Sequence, residues 1–238
     1  MTFYGRSNEN TIAAASGRCT VNDEWSECNK AMQNQIKKRD TYPIGIETLF
    51  DLRNRLMHTM LSFSDELRRE DFNTLPFVNA DGNHNATIAW TLWHVFRIED
   101  IVAHTLIQGD EQIFFADDYQ RRINTPIITT GNELEKQQLI AFSEQLNLKE
   151  LYSYGLEVKE STEKIIRALP FDALKRKIGN DRKACLKSLN VVSKSKDVIW
   201  LIDYWCGKDI RGLIQMPFSR HWIMHTEASL RIKNKIRP

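Results

Sequence analysis

The stretch MPFSRHWIMHTEASLRI, residues 216–232, decides the fold. Pro217 suits the first turn of a helix, and no further breaker follows it. Phe218, His221, His225, Ala228 and Ile232 recur in steps of three and four, so a helix gathers them on one face with apolar residues at both ends. At about 100° per residue, His221 and His225 return to nearly the same azimuth about 6 Å apart along the axis, within reach of one cation. A face so composed points to a core. Imidazoles placed there need water, a polar neighbour or a metal, because an unsatisfied buried polar group costs about 1–3 kcal/mol.

Outward from this segment the chain reads as further helices. Leu49, Leu52, Leu56, Met60, Phe63 and Leu67 mark a long amphipathic helix opened by Tyr42-Pro43. A turn-rich stretch, 73–85, holds Pro76 and Asp81-Gly82 and leads to a helix over 86–108. Asn85 is the expected N-cap of that helix, Gly109 its stop, and Trp90, His94, Ile98 and Ile101 its inner stripe. Asn147 and Glu150 form a capping-box pattern before a helix carrying Leu151, Val158, Ile165 and Leu169 and ending at Pro170. A short Trp-rich apolar helix is expected over 198–206. The connection 110–145, broken by Pro126 and Gly131, reads as irregular, and the Lys/Arg-rich stretch 174–187 within 171–196 as a solvated excursion or hairpin. Strand signals are few and no repeat of 20–50 residues is present. The predicted fold is therefore all-α, a four-helix bundle with two long connections. Residues 1–41, polar and weakly periodic, read as an N-terminal extension outside the core and dispensable for it, with the bundle domain over 42–238.

Composition limits the function. The 238 residues are 42% hydrophobic and 27% charged, which excludes wholesale disorder and a disulfide-stapled miniprotein. With Lys+Arg at 33 against Asp+Glu at 31, the net charge of +2 gives no global field for nucleic acid or an anionic membrane. A nucleic-acid reading rests on the stretch 174–187 alone, and that stretch lacks interleaved aromatics for base stacking. No run of about 18 apolar residues or secretory leader is present, so a cytoplasmic protein with no membrane partner is expected. Cys19, Cys28, Cys185 and Cys206 match no CxxC spacing and read as buried or inert thiols, although Cys19 and Cys28 could pair under oxidising conditions.

His94 joins His221 and His225 as a third inward imidazole, and three such groups on two helices are hard to satisfy separately. Three nitrogen ligands with a further position open is the pattern of a catalytic divalent site. His58, His84 and His104 read as structural or surface residues. Glu227 invites a role as general base, but it lies about 200° from His225 around the helix, which favours a surface salt bridge or a contact behind the ligands. Trp90, Trp93, Trp200, Tyr204, Trp205 and Trp222 are core residues by default. If Trp200 to Trp205 lean over the metal, they line an apolar pocket for a small-molecule substrate, with Asp203 and Arg220 as its candidate polar groups.

TIAWTLWHVFRIEDI, residues 87–101, with its His after a Trp-rich turn and Arg-x-Glu-Asp beyond, and residues 216–232 with Pro and then HxxxH, together resemble the DinB-like superfamily of metal-dependent proteins. The resemblance implies a four-helix frame over about residues 43–235 in which His94, His221 and His225 bind a divalent metal, Zn, Ni or Fe. It also implies a thiol-dependent transferase or a hydrolase acting on a small molecule, with a low-molecular-weight thiol as partner, and homodimer formation, which is common among relatives. The competing expectation is a non-catalytic binding or stress-response protein stabilised by its metal. The ergothioneine-forming sulfoxide synthases carry a similar domain with HxxxHxE on iron, which His225-Thr226-Glu227 matches. This chain is expected to lack room for their second domain, so their reaction is not carried over.

Overall fold

The computed structural model describes residues 21–78 and 85–237. Along the chain come α1 (Val21–Gln35), α2 (Tyr42–Glu66), α3 (Ile88–Asp100), α4 (Ile113–Ala116), α5 (Tyr119–Ile123), α6 (Gln137–Gln145) and α7 (Leu148–Ala168). After these follow α8 (Asn180–Ser188), α9 (Trp200–Cys206), α10 (Ile210–Gln215) and α11 (His221–Ile236). Among the described residues no strand occurs, only an isolated bridge between Lys177 and Asp209. Also among them, no helix is long and apolar enough to cross a membrane.

Pro43 sits in the first turn of α2, as expected, and Leu49, Leu52, Leu56, Met60 and Phe63 form its buried stripe. The N-cap of α3 is Thr87, two residues beyond the expected Asn85: its hydroxyl accepts from the Trp90 amide at 3.1 Å. Every residue from Ile88 to Asp100 is buried, so α3 is enclosed all round rather than along one stripe. It runs on as a π-helical stretch, Ile101–Gln108, and stops at Gly109, whose φ of 83° is readily reached only without a side chain. In α7, the Asn147 side chain caps the Glu150 amide. A Cβ on Gly155 would lie 2.4 Å from the Phe96 ring, so a residue without a side chain is what lets α7 approach α3 this closely.

The long helices pack in pairs, α3 against α7 and α11, and α2 against the same two. The expected extension is corrected from residue 21 onward. Helix α1 lies on α2, with Trp25 2% exposed in one core cluster and Met32 and Ile36 fully buried in the other. Thr48 ties the two helices through the Gln35 side chain at 2.8 Å. Residues 1–20, Cys19, His84 and the Asp81-Gly82 turn lie outside the described residues.

The connection expected to be irregular holds α4, α5 and α6 and is bound to α3. Trp90 Nε1 donates to the Gly131 carbonyl at 2.9 Å, Trp93 Nε1 to Thr129 at 3.2 Å and Arg97 Nε to Ile128 at 2.9 Å. The Lys/Arg-rich stretch forms α8 rather than a hairpin. Leu186 anchors it to the core and most of its charges stay in solvent. Cys28, Cys185 and Cys206 are unpaired, and Cys185 is exposed rather than buried.

Candidate metal centre

Three imidazoles meet where α3 passes the start of α11. His94, His221 and His225 are all buried, and each offers a ligand atom within 4.8 Å of the others. His94 Nε2 and His221 Nε2 are 3.2 Å apart. No cysteine or carboxylate joins the set among the described residues.

The backbone before His221 explains its aim. Pro217 has no amide hydrogen, and its ring would clash with the carbonyl four residues back, so α10 cannot continue into α11 as a regular helix. The chain instead takes a π-helical turn over Met216–Arg220. Within it Ser219 Oγ donates to the Ile214 carbonyl five residues back at 3.1 Å. The resulting offset presents His221 and His225 to α3.

The rings are fixed from behind. His94 Nδ1 lies 2.9 Å from the Thr130 carbonyl, an acceptor only, so Nδ1 carries the proton and Nε2 turns a lone pair to the cluster. Trp90 stacks on His94 at 4.5 Å with planes 14° apart. Burial pushes the His94 pKa down to about 4, with the Thr130 bond opposing. Burial, then the neighbouring imidazoles, hold His221 and His225 well below the ordinary value. All three are neutral at pH 7, the state in which imidazole binds metal.

The set passes a test of fit. The buried Nδ1 atoms of His221 and His225 have no hydrogen-bond partner among the described residues. Crowding three neutral imidazoles with two orphaned nitrogens is costly for a packed core. A borderline divalent ion is a partner that one nitrogen of each of the three rings can share.

A cavity of about 300 Å³ opens beside the cluster, walled by Trp200, Tyr204 and Trp205 of α9 and by Met216, Pro217 and Met224, with Asn132 as its other polar lining residue. Trp200 and Tyr204, core residues by default in the sequence reading, are instead exposed and line this cavity with Trp205, and the expected polar groups do not join them. Asp203 sits on the outer face of α9, 2.6 Å from Lys183, which holds its carboxyl below the usual range. Arg220 is exposed and lies outside the lining. Glu227 is half-buried away from the cluster, and burial raises its pKa against the pull of Arg231 and Arg220. Helical geometry had already turned it away.

Of the other histidines, His58 is exposed on α2. His104 is buried, with Nδ1 2.7 Å from Asp110 Oδ1 and Nε2 3.1 Å from Ser161 Oγ. This has the order of a hydrolase relay. Ser161 lies within α7, however, where backbone amides are committed to the helix and offer no donor to an oxyanion.

One group near the site left no mark in the sequence. Arg53 is fully buried and forks onto Glu99, NH1 to Oε2 at 2.8 Å and NH2 to Oε1 at 2.6 Å. It also donates to Glu163 at 3.0 Å and to the Phe218 carbonyl in the π turn at 3.1 Å. Glu99 Oε2 accepts from Trp222 Nε1 at 2.6 Å. The pair thus holds the backbone on one side of His221 and the side chain on the other.

No family model matches the chain, and no curated protein matches it in sequence.

The depressed pKa values fix a pH response. Below about 6.5 the unfolded chain binds protons that the folded protein refuses until the pH nears 4 for His94. Stability of the metal-free protein is therefore complete above about pH 6.5 and falls as pH drops through that window. Thermal unfolding in chelator should show Tm declining already between about pH 6.5 and 5, above the range where carboxylates titrate. A Tm constant down to pH 5 would contradict neutral, buried imidazoles.

Proposed function

We propose that this chain is a DinB-like metalloprotein whose helices α2, α3, α7 and α11 form the four-helix frame, with His94, His221 and His225 holding Zn, Ni or Fe. Its reaction is a thiol-dependent transfer or a hydrolysis on a small molecule. One observation carries this reading: three neutral, buried imidazoles from two helices converge on the wall of an apolar cavity, with no fourth protein donor among the described residues. A structural ion usually has its four positions filled by protein, whereas three donors beside a cavity leave a position for a reactant. The bound ion would supply Lewis acidity, stabilising negative charge on an atom placed against it.

The remaining work falls to the chain. Thr130 sets the His94 tautomer, Trp90 fixes its ring plane, and the α9 aromatics give the cavity an apolar wall. The thiol co-reactant rests on the resemblance of the two histidine segments. Protein purified without a histidine tag should carry close to one divalent ion per chain by elemental analysis. Less than a tenth of an equivalent, unchanged after incubation with Zn, Ni or Fe, would refute the proposal.

A further inference from the structure

We infer that the cavity beside the three histidines takes a small organic monoanion with a flat apolar body, its anionic head toward the metal and its body against Trp200, Tyr204 and Trp205. This inference rests on the metal reading above.

Charge supplies the first half. A divalent ion held by three imidazoles, which ligate as neutral rings, keeps its double charge, and no lining residue of the cavity carries a formal charge to offset it. Of the carboxylates on the surrounding elements, both Glu99 oxygens are committed to Arg53, Asp203 to Lys183 and one Glu133 oxygen to the Thr129 hydroxyl, and Glu227 is not part of the histidine cluster. An uncompensated charge in a low-dielectric site is unfavourable, and a ligand that brings negative charge offsets it by taking the place that bound hydroxide would fill. Asn132 fits this. Its Oδ1 already accepts from Thr130 Oγ1 at 2.6 Å, leaving its NH2 as the donor to offer. A polyanion such as a nucleotide is excluded, because no Lys or Arg lines the cavity. A cation is excluded by the metal's own charge.

Shape supplies the second half. A space of about 300 Å³ suits a ligand of one or two rings, since about 150 Å³ accommodates benzene. Trp200 and Tyr204 lie one helical turn apart, edge to face at 5.6 Å, and remain 52% and 36% exposed. Trp200 Nε1 is already bonded to the Asp197 carbonyl at 2.8 Å, so the ring presents its apolar surface. These aromatic walls, with Met216 and Met224 also lining the cavity, form a surface for a flat body rather than for a polar one.

The test uses the full chain loaded with Co2+, whose d–d bands report ligands, with Trp fluorescence as a second signal. Phenylacetate or phenylmethanethiolate should bind at least about tenfold tighter than acetate and than 2-phenylethanol, a difference of about 1.4 kcal/mol. Phenethylammonium should not bind. Trp200→Ala, at a half-exposed position, should weaken the aromatic anion about tenfold while leaving acetate and Co2+ affinities unchanged. Co2+ binding with no advantage of the aromatic anions over acetate, or with equal binding of the amine, would overturn this inference and leave the metal centre standing. Failure to bind Co2+ at all would overturn the metal reading and this inference together.

Discussion

Replacing His225 by Ala should abolish binding of a divalent ion at the three-histidine cluster, whereas replacing Glu227 by Ala should leave occupancy nearly intact. The two residues are easily confused, because HxxxHxE places both beside the site in sequence. In space they part. His225 lies with its ring 4.8 Å from that of His94 and 4.4 Å from that of His221, while Glu227 faces the region of Arg220 and Arg231. Loss of His225 leaves two nitrogens of the three, removing one bond to the ion itself. A residue that only supports ligands from behind typically costs about 10- to 100-fold in affinity, so Glu227→Ala should cost no more than that and His225→Ala should far exceed it. Zn titration of both variants, with folding checked by circular dichroism, reads the order directly. Equal and complete loss in both would make the carboxylate a ligand and the assignment wrong.

Replacing Glu99 by Ala should destabilise the protein by about 3–5 kcal/mol, the range for breaking a buried ion pair from one side. Arg53 would then keep its charge inside the core with Glu163 as its one remaining carboxylate, and Trp222 Nε1 would lose its acceptor. In the intact protein, burial works against the guanidinium charge and the Glu99 and Glu163 carboxylates outweigh it, holding the Arg53 pKa above its ordinary value. The double variant Arg53→Met with Glu99→Leu should recover part of the loss, because no buried charge is then left alone. Urea unfolding of the three proteins measures both quantities. A Glu99→Ala cost under about 1 kcal/mol would place the pair among surface bridges and deny it a structural role.

The sequence disclosed the residues whose cause is local or periodic. His221 and His225 share a face by helical arithmetic, Pro43 and Gly109 act through their own backbone restrictions, and Trp200 to Trp205 gather as a short apolar run. What stayed hidden depends on distant partners. Trp25, Asn29, Met32 and Ile36 do form a stripe, but it is narrow and set among polar neighbours, so α1 reads as a tail until α2 is present to cover it. Arg53 stands between Asp51 and Arg55 like any surface cation, and only Glu99 and the Phe218 carbonyl reveal it as a core residue. Asn132 could not be foreseen, because hydrogen bonds from α3 to residues 128–131 bring its loop to the cavity. Asp203 and Arg220 were the reverse case, polar residues next to the right neighbours in sequence but on the outer side of their helices.

The π turn at Met216–Arg220 works as a dial between two helices. One residue of chain is about 100° of rotation, so the single extra residue in that turn fixes the angle at which α11 faces relative to α10. Both histidines stand downstream of it and turn together, while Leu213 and Ile214 of the core stand upstream and do not. Chain length at this joint, which Pro217 holds in its π form, therefore sets whether the donor atoms look inward or out to solvent.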